Sequence, residues 1–186
     1  YEKSDDTDYI SIDCFKKDRK YAVAVIKEKI ASDKNNGLWR AVLASFYKEC
    51  HMYAEAIPIL GGLMEEYGFD EDLLEGRSVC YDEMGMTELA LADINKAMEL
   101  TDQRNYAYYY GRRSGIYRYA GMYKEAIEDL DKYIERYPTD AYGYYARGWC
   151  QELSGDKAAA MEDYNEGIAV DENYPYIYLM RGTLHM

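Results

Sequence analysis

Few residues of this 186-residue chain could do acid–base or nucleophilic chemistry: it has two histidines, His51 and His185, and four cysteines, Cys14, Cys50, Cys80 and Cys150. Histidine exchanges protons near neutral pH, and a cysteine beside it becomes a nucleophile only when a third group orients the base. Cys50 adjoins His51, but the sequence supplies neither that third group nor the further ligands a metal ion requires. The cysteines form no CxxC pair, so neither a zinc knuckle nor a redox motif is spelled out. All four read as partly buried thiols that pack as small hydrophobes. No glycine-rich phosphate loop, nucleophile elbow or HExxH run is present. No catalytic residue, metal or cofactor is expected.

A second set of charged residues recurs at fixed spacing. Arg77, Arg113 and Arg147 are each followed 16 residues later by Asp93, Asp129 and Asp163. Arg181 occupies the same setting near the end of the chain. The elements that carry these residues decide what the spacing means.

Those elements repeat. Ala22, Ala56, Ala90, Ala126 and Ala160 stand 34, 34, 36 and 34 residues apart, the odd gap reflecting a two-residue insertion near Asn105. Four residues after each alanine comes a large apolar or aromatic side chain, namely Ile26, Leu60, Ile94, Leu130 and Tyr164, one helical turn along the same face. Gly85, Gly121 and Gly155 lie five residues before three of the alanines, where a helix-stopping turn is needed. Twelve residues before the alanines the side chains are mostly small, Ala44, Ser78, Ser114 and Gly148, with Gly182 in the last unit, so two helices can approach closely. Each unit is helix, tight turn, helix. Pro58, followed by Gly61 and Gly62, falls inside one of these helices and predicts that it is kinked or short.

This alternation resembles the tetratricopeptide repeat, best in residues 107–140, where Tyr110, Ser114, Tyr117, Gly121, Ala126, Leu130 and Pro138 take the family's places. The resemblance covers nearly the whole chain and implies an all-α fold, a superhelical solenoid of about five helical hairpins plus a terminal helix. The units are 3–36, which is degenerate, then 37–70, 71–106, 107–140 and 141–174, with the terminal helix at 175–186, all in one array. Each hairpin buries its apolar stripe only against neighbours.

In such a hairpin a residue eight before the turn and one eight after it stand at the same height. Arg77–Asp93, Arg113–Asp129 and Arg147–Asp163 are therefore expected to pair, within a hairpin or from one hairpin to the next. Leu43 with Ile59 and Tyr9 with Val25 take the same two places, apolar meeting apolar. A partly buried arginine without its partner would cost several kcal/mol, so the structural reading outweighs an anion site.

The resemblance also implies that the first helix of each unit lines a ligand-facing concave surface, and carries two patches over to it. One is acidic: Asp72, Glu75, Asp82 and Glu83. The other is aromatic: Tyr108, Tyr142 and Tyr176 at intervals of 34, with Tyr145, Trp149, Arg118 and Tyr119 beside them. Together they suit a protein or peptide segment that carries lysine or arginine with apolar side chains. Carboxylates on an outward helical face more ordinarily stay solvated, and Tyr110, Tyr144 and Tyr178 read as packing residues between hairpins. The lysine, arginine and asparagine clamp by which some family members bind chaperone C-termini is missing. The corresponding places hold Ala41, Glu75, Gly111 and Tyr145, then Ser45, Val79, Gly115 and Trp149.

Charge and hydropathy narrow the partners. A formal charge of −13 repels phosphate backbones and anionic lipid heads, which argues against nucleic acid. No run of about 18 apolar residues could span a membrane. The terminal segment from Pro175, with Ile177, Tyr178, Leu179, Met180, Leu184 and Met186, is apolar over much of its surface, so residues 175–186 also suit self-association within a longer multi-repeat protein. No signal-peptide core is visible, but the chain begins at Tyr1 rather than Met, which leaves a cytoplasmic and an exported or periplasmic location both open.

Overall fold

The computed structural model describes residues 19–33, 37–102 and 106–184, which form two compact units, one ending at Phe69 and the other starting at Asp70. Tyr9, Ile10, Cys14, Asn105, His185 and the first helix of unit 3–36 lie outside the described residues. Ten helices and no strand are present among the described residues.

The first unit holds α1 (Arg19–Ser32), α2 (Leu38–Glu49) and α3 (Tyr53–Tyr67). The second holds α4 (Glu71–Glu83), α5 (Thr87–Leu100), α6 (Tyr106–Tyr119), α7 (Tyr123–Arg136), α8 (Ala141–Ser154), α9 (Lys157–Val170) and α10 (Pro175–Leu184). The hairpins α2–α3, α4–α5, α6–α7 and α8–α9 run over residues 38–67, 71–100, 106–136 and 141–170.

Every hairpin turn uses one backbone device. Gly85, Gly121 and Gly155 adopt φ of 71°, 75° and 97°, the left-handed region that glycine enters without a Cβ penalty. The residue after each donates its N–H five residues back: Met86 to Tyr81 O at 2.8 Å, Met122 to Tyr117 O at 2.8 Å and Asp156 to Gln151 O at 2.9 Å. This closing bond satisfies a carbonyl that the helix end leaves orphaned. In α2–α3 the same bond, Met52 N–H to Tyr47 O at 2.8 Å, closes over His51, whose φ is 58°.

The seam inside each hairpin is built from small residues against large ones. All five register alanines are fully buried, and the partners Ile94, Leu130 and Tyr164 are at most 1% exposed. The Ser78 hydroxyl donates to Ala90 O at 2.8 Å, so that small residue binds the facing backbone as well as making room. At the equivalent Gly148, a Cβ would sit 2.6 Å from the Tyr164 ring and 3.2 Å from Ala160 O. Only glycine fits beside so large a partner.

Cores continue from hairpin to hairpin in the second unit. Ala126 and Leu130 of α7 pack with Ala146 and Cys150 of α8, and Ala160 and Tyr164 of α9 pack with Ala141 and Ile177 of α8 and α10. Aspartates cap three of the helices. Asp70 accepts from Asp72 and Leu73 N–H, Asp140 from Tyr142 N–H and Asp156 from Ala159 N–H.

One expectation is corrected. α3 is the longest helix of the described residues, 15 residues running unbroken through Pro58, Gly61 and Gly62. Proline in a helix interior costs about 3 kcal/mol. Burial of Ala56, Leu60, Leu63 and Met64 along one face of α3 outweighs that local penalty.

A candidate partner-binding face

The recurrent arginines define the framework. Arg77 donates from Nε and Nη2 to both oxygens of Asp93 at 2.7 and 2.8 Å, Arg113 to Asp129 at 2.7 and 2.8 Å, and Arg147 to Asp163 at 2.8 and 2.6 Å. The aspartates are buried and the arginines half-buried. Such two-point bonds fix orientation as well as charge.

A second link runs backwards to the preceding hairpin. Arg113 Nη1 donates to Asn95 Oδ1 at 2.6 Å, Arg147 Nη1 to Asp131 Oδ1 at 2.6 Å and Arg181 Nη1 to Asn165 Oδ1 at 3.3 Å. Each acceptor lies two residues after the aspartate of its own hairpin. The Arg–Asp pairs thus lie within each hairpin, the links between hairpins use other acceptors, and the guanidiniums are engaged by their neighbours rather than free for an anion. The back-link residues Asn95, Asp131 and Asn165 escaped the sequence reading, although their fixed offset from the paired aspartates is a signal.

The acidic residues of α4 separate into two kinds. Glu75 accepts from the Tyr108 hydroxyl at 2.7 Å and pairs with Arg112 Nε at 2.9 Å, so it ties α4 to α6. Burial, and next the Glu75 carboxylate, push the Tyr108 phenol up to about 12. Asp72 and Glu83 are exposed, whereas Asp82 is half-buried. Burial first, and then the neighbouring charge of Glu83, raise the Asp82 carboxyl above its ordinary value, while Arg112 and Arg118 pull it down. Arg112, absent from the sequence-predicted face, is thus part of it.

The aromatic residues form a connected cluster. The Tyr145 ring lies 5.8 Å from Trp149, 5.7 Å from Tyr174 and 6.0 Å from Tyr176. The Arg118 guanidinium sits 3.8 Å from the Trp149 ring centre and 4.4 Å from that of Tyr119, close enough for cation–π attraction on both sides. Tyr108, Tyr119 and Tyr176 are 47%, 72% and 58% exposed, which leaves large amphipathic surface facing water. Tyr142 turns inward against Tyr133, ring centres 5.6 Å apart, and is only half exposed. Tyr174, which joins the cluster, also escaped the sequence reading.

His51 Nδ1 meets the Tyr53 hydroxyl at 2.7 Å, Cys50 is buried, and no group of three or more metal-ligating side chains occurs among the described residues. Burial pushes the Cys150 thiol up to about 11, which keeps it protonated and unreactive at neutral pH. Among the described residues no helix is long and apolar enough to cross a membrane.

Comparison with known proteins agrees with this geometry. The tetratricopeptide repeat family matches residues 112–140 and 141–174. Tetratricopeptide repeat protein 13 of Homo sapiens is 29% identical over 136 residues, 70% of this chain. The chain spans 16% of the length of the curated relatives it matches. Among solved structures, a tetratricopeptide repeat protein from Parabacteroides merdae superposes with a TM-score of 0.77 at 20% identity, covering 94% of this chain and 69% of that one. YrrB, described as a tetratricopeptide repeat protein with an unusual peptide-binding site, superposes at 0.71 and 17% identity, over 92% of this chain and 88% of its own. With its repeated hairpins, left-handed turns and buried alanine seam, the chain is a tetratricopeptide repeat protein.

Proposed function

We propose that the chain is a non-catalytic protein–protein interaction scaffold that holds a polypeptide segment carrying lysine or arginine together with apolar side chains. The observation that carries this reading is the aromatic cluster in which exposed Tyr176 packs with half-buried Tyr145, Trp149 and Tyr174, together with exposed Tyr108 and Tyr119 and the carboxylates of Asp72, Asp82 and Glu83. Rigid aromatic side chains bury large area with little loss of conformational freedom, and their ring faces attract cations. Glu75 is excluded from the contact set because Tyr108 and Arg112 already engage it.

The test is selection from a displayed library of random peptides, once with the native chain and once with Asp72, Asp82 and Glu83 changed to lysine. Enrichment of basic–apolar sequences by the native chain, lost in the triple variant, supports the reading. Selection of nothing, or of the same sequences by both, sinks it. A second reading, self-association through α10, draws on the exposure of Tyr176 and Leu179, 58% and 66%. Light scattering on the same native sample separates the two, since a monomer at micromolar concentration removes the second.

A further inference from the structure

A recess of about 270 Å³ opens among α4, α6 and α8. Two glycines one turn apart on α6 line it, and they differ: a Cβ at Gly111 would meet the Tyr133 ring at 3.0 Å, whereas Gly115 faces the open space. A Cβ built at Gly115 would meet nothing within 4 Å, so it is the missing side chain that keeps this space open. Ile116 and Tyr142 supply apolar wall, and Asp82 and Glu83 lie at the end of α4.

The charges around the recess are unequally satisfied. Arg112 is paired with Glu75 at 2.9 Å, and Arg118 is held against the Trp149 and Tyr119 rings. Neither Asp82 nor Glu83 forms an ion pair among the described residues, although Asp82 is half removed from water. Arg112 and Arg118, which also line the recess, act on Asp82 only through space, and a half-desolvated carboxylate with no bonded cation still favours one able to reach it. The neighbouring surface selects the shape of that cation. A long aliphatic stem can lie along Ile116 and the Tyr142 ring while its charged tip stays at the mouth.

We infer that this recess is a subsite for one long cationic side chain, lysine or arginine, of a bound polypeptide, with the space above Gly115 taking its stem and Asp82 and Glu83 receiving its charge. The inference rests on the scaffold reading and adds the chemistry of one position within it.

Nuclear magnetic resonance titration of the native chain with Nα-acetyl-lysinamide, Nα-acetyl-argininamide and the uncharged Nα-acetyl-norleucinamide tests it. Millimolar lysine or arginine derivative should shift the Gly115 amide, the Ile116 methyl and the Tyr142 ring signals, and the norleucine derivative should not. Gly115→Met fills the space with a better helix former, so the melting temperature should hold or rise while the shifts vanish. Asp82→Asn should weaken binding by roughly tenfold or more. Equal shifts with norleucine, unchanged shifts in Gly115→Met, or no shift with either cation overturn the subsite. In the last case peptide selection by the native chain would still uphold the wider scaffold reading, so the two fail separately.

Discussion

The α2–α3 and α6–α7 hairpins share one backbone plan and solve its central contact differently. In α6–α7 the two facing places hold Arg113 and Asp129, joined by two hydrogen bonds with the carboxylate buried. In α2–α3 they hold Leu43, 4% exposed, and Ile59, half-buried, which line one recess of that unit. The ion pair that joins α2 to α3, Arg40 to Glu66 at 2.7 Å, is far from the turn with Glu66 46% exposed, where solvent leaves a pair worth little. The contrast teaches that the hairpin needs matched partners at this height and does not need charge. Charge adds direction, because a guanidinium fork accepts one register of the facing carboxylate and apolar side chains accept several.

The largest expected effect breaks the match. Asp129→Ala strands Arg113 in a half-buried place and should cost about 3–5 kcal/mol, read as a clear fall in melting temperature or denaturant midpoint. Changing both residues, Arg113→Leu with Asp129→Ile, imports the α2–α3 solution and should recover most of that loss. Failure of the double variant to recover would mean that the two hairpins are not equivalent solutions. A single variant as stable as the native chain would show the fork to be irrelevant.

A middle-sized effect lies in the seam. Gly148→Ala places a methyl against the Tyr164 ring and should destabilise by about 1–3 kcal/mol. Chemical denaturation checks the value, and a neutral result would mean that α8 and α9 separate easily. The smallest effect concerns the turn that departs from the others. His51 occupies a left-handed conformation that the other turns assign to glycine. His51→Gly should stabilise by about 1 kcal/mol or less, since relief of strain is offset by glycine's entropy and by loss of the bond to Tyr53. A loss of stability would show that the bond to Tyr53 outweighs the strain.

Much of this architecture was legible because close helix packing demands small residues at fixed heights, and Ala90, Ala126 and Ala160 record those heights directly. The pairing of Arg113 with Asp129 was legible for the same reason, since equal distance from a turn means equal height. The link from Arg147 to Asp131 was not, because it depends on how one hairpin is rotated against the preceding one, which no single repeat encodes. Glu75 was misjudged as a free carboxylate for a related reason: its partners, Tyr108 and Arg112, come from the next hairpin. His51 stands at a turn by its place five residues before Ala56, but its type does not announce a positive φ, and α3 was misjudged because local penalties at Pro58 say nothing about tertiary burial.

The backward bonds of the arginines have a consequence for how the second unit opens. Arg113 holds Asp129 in its own hairpin and Asn95 in the one before, and Arg147 likewise holds Asp163 and Asp131. Removing α9 from Arg147 exposes a guanidinium still fastened to α7, so fraying of one hairpin is felt by its neighbour. Amide protons from α4 to α9 should therefore exchange with solvent as one block, with closely similar protection, rather than loosening hairpin by hairpin.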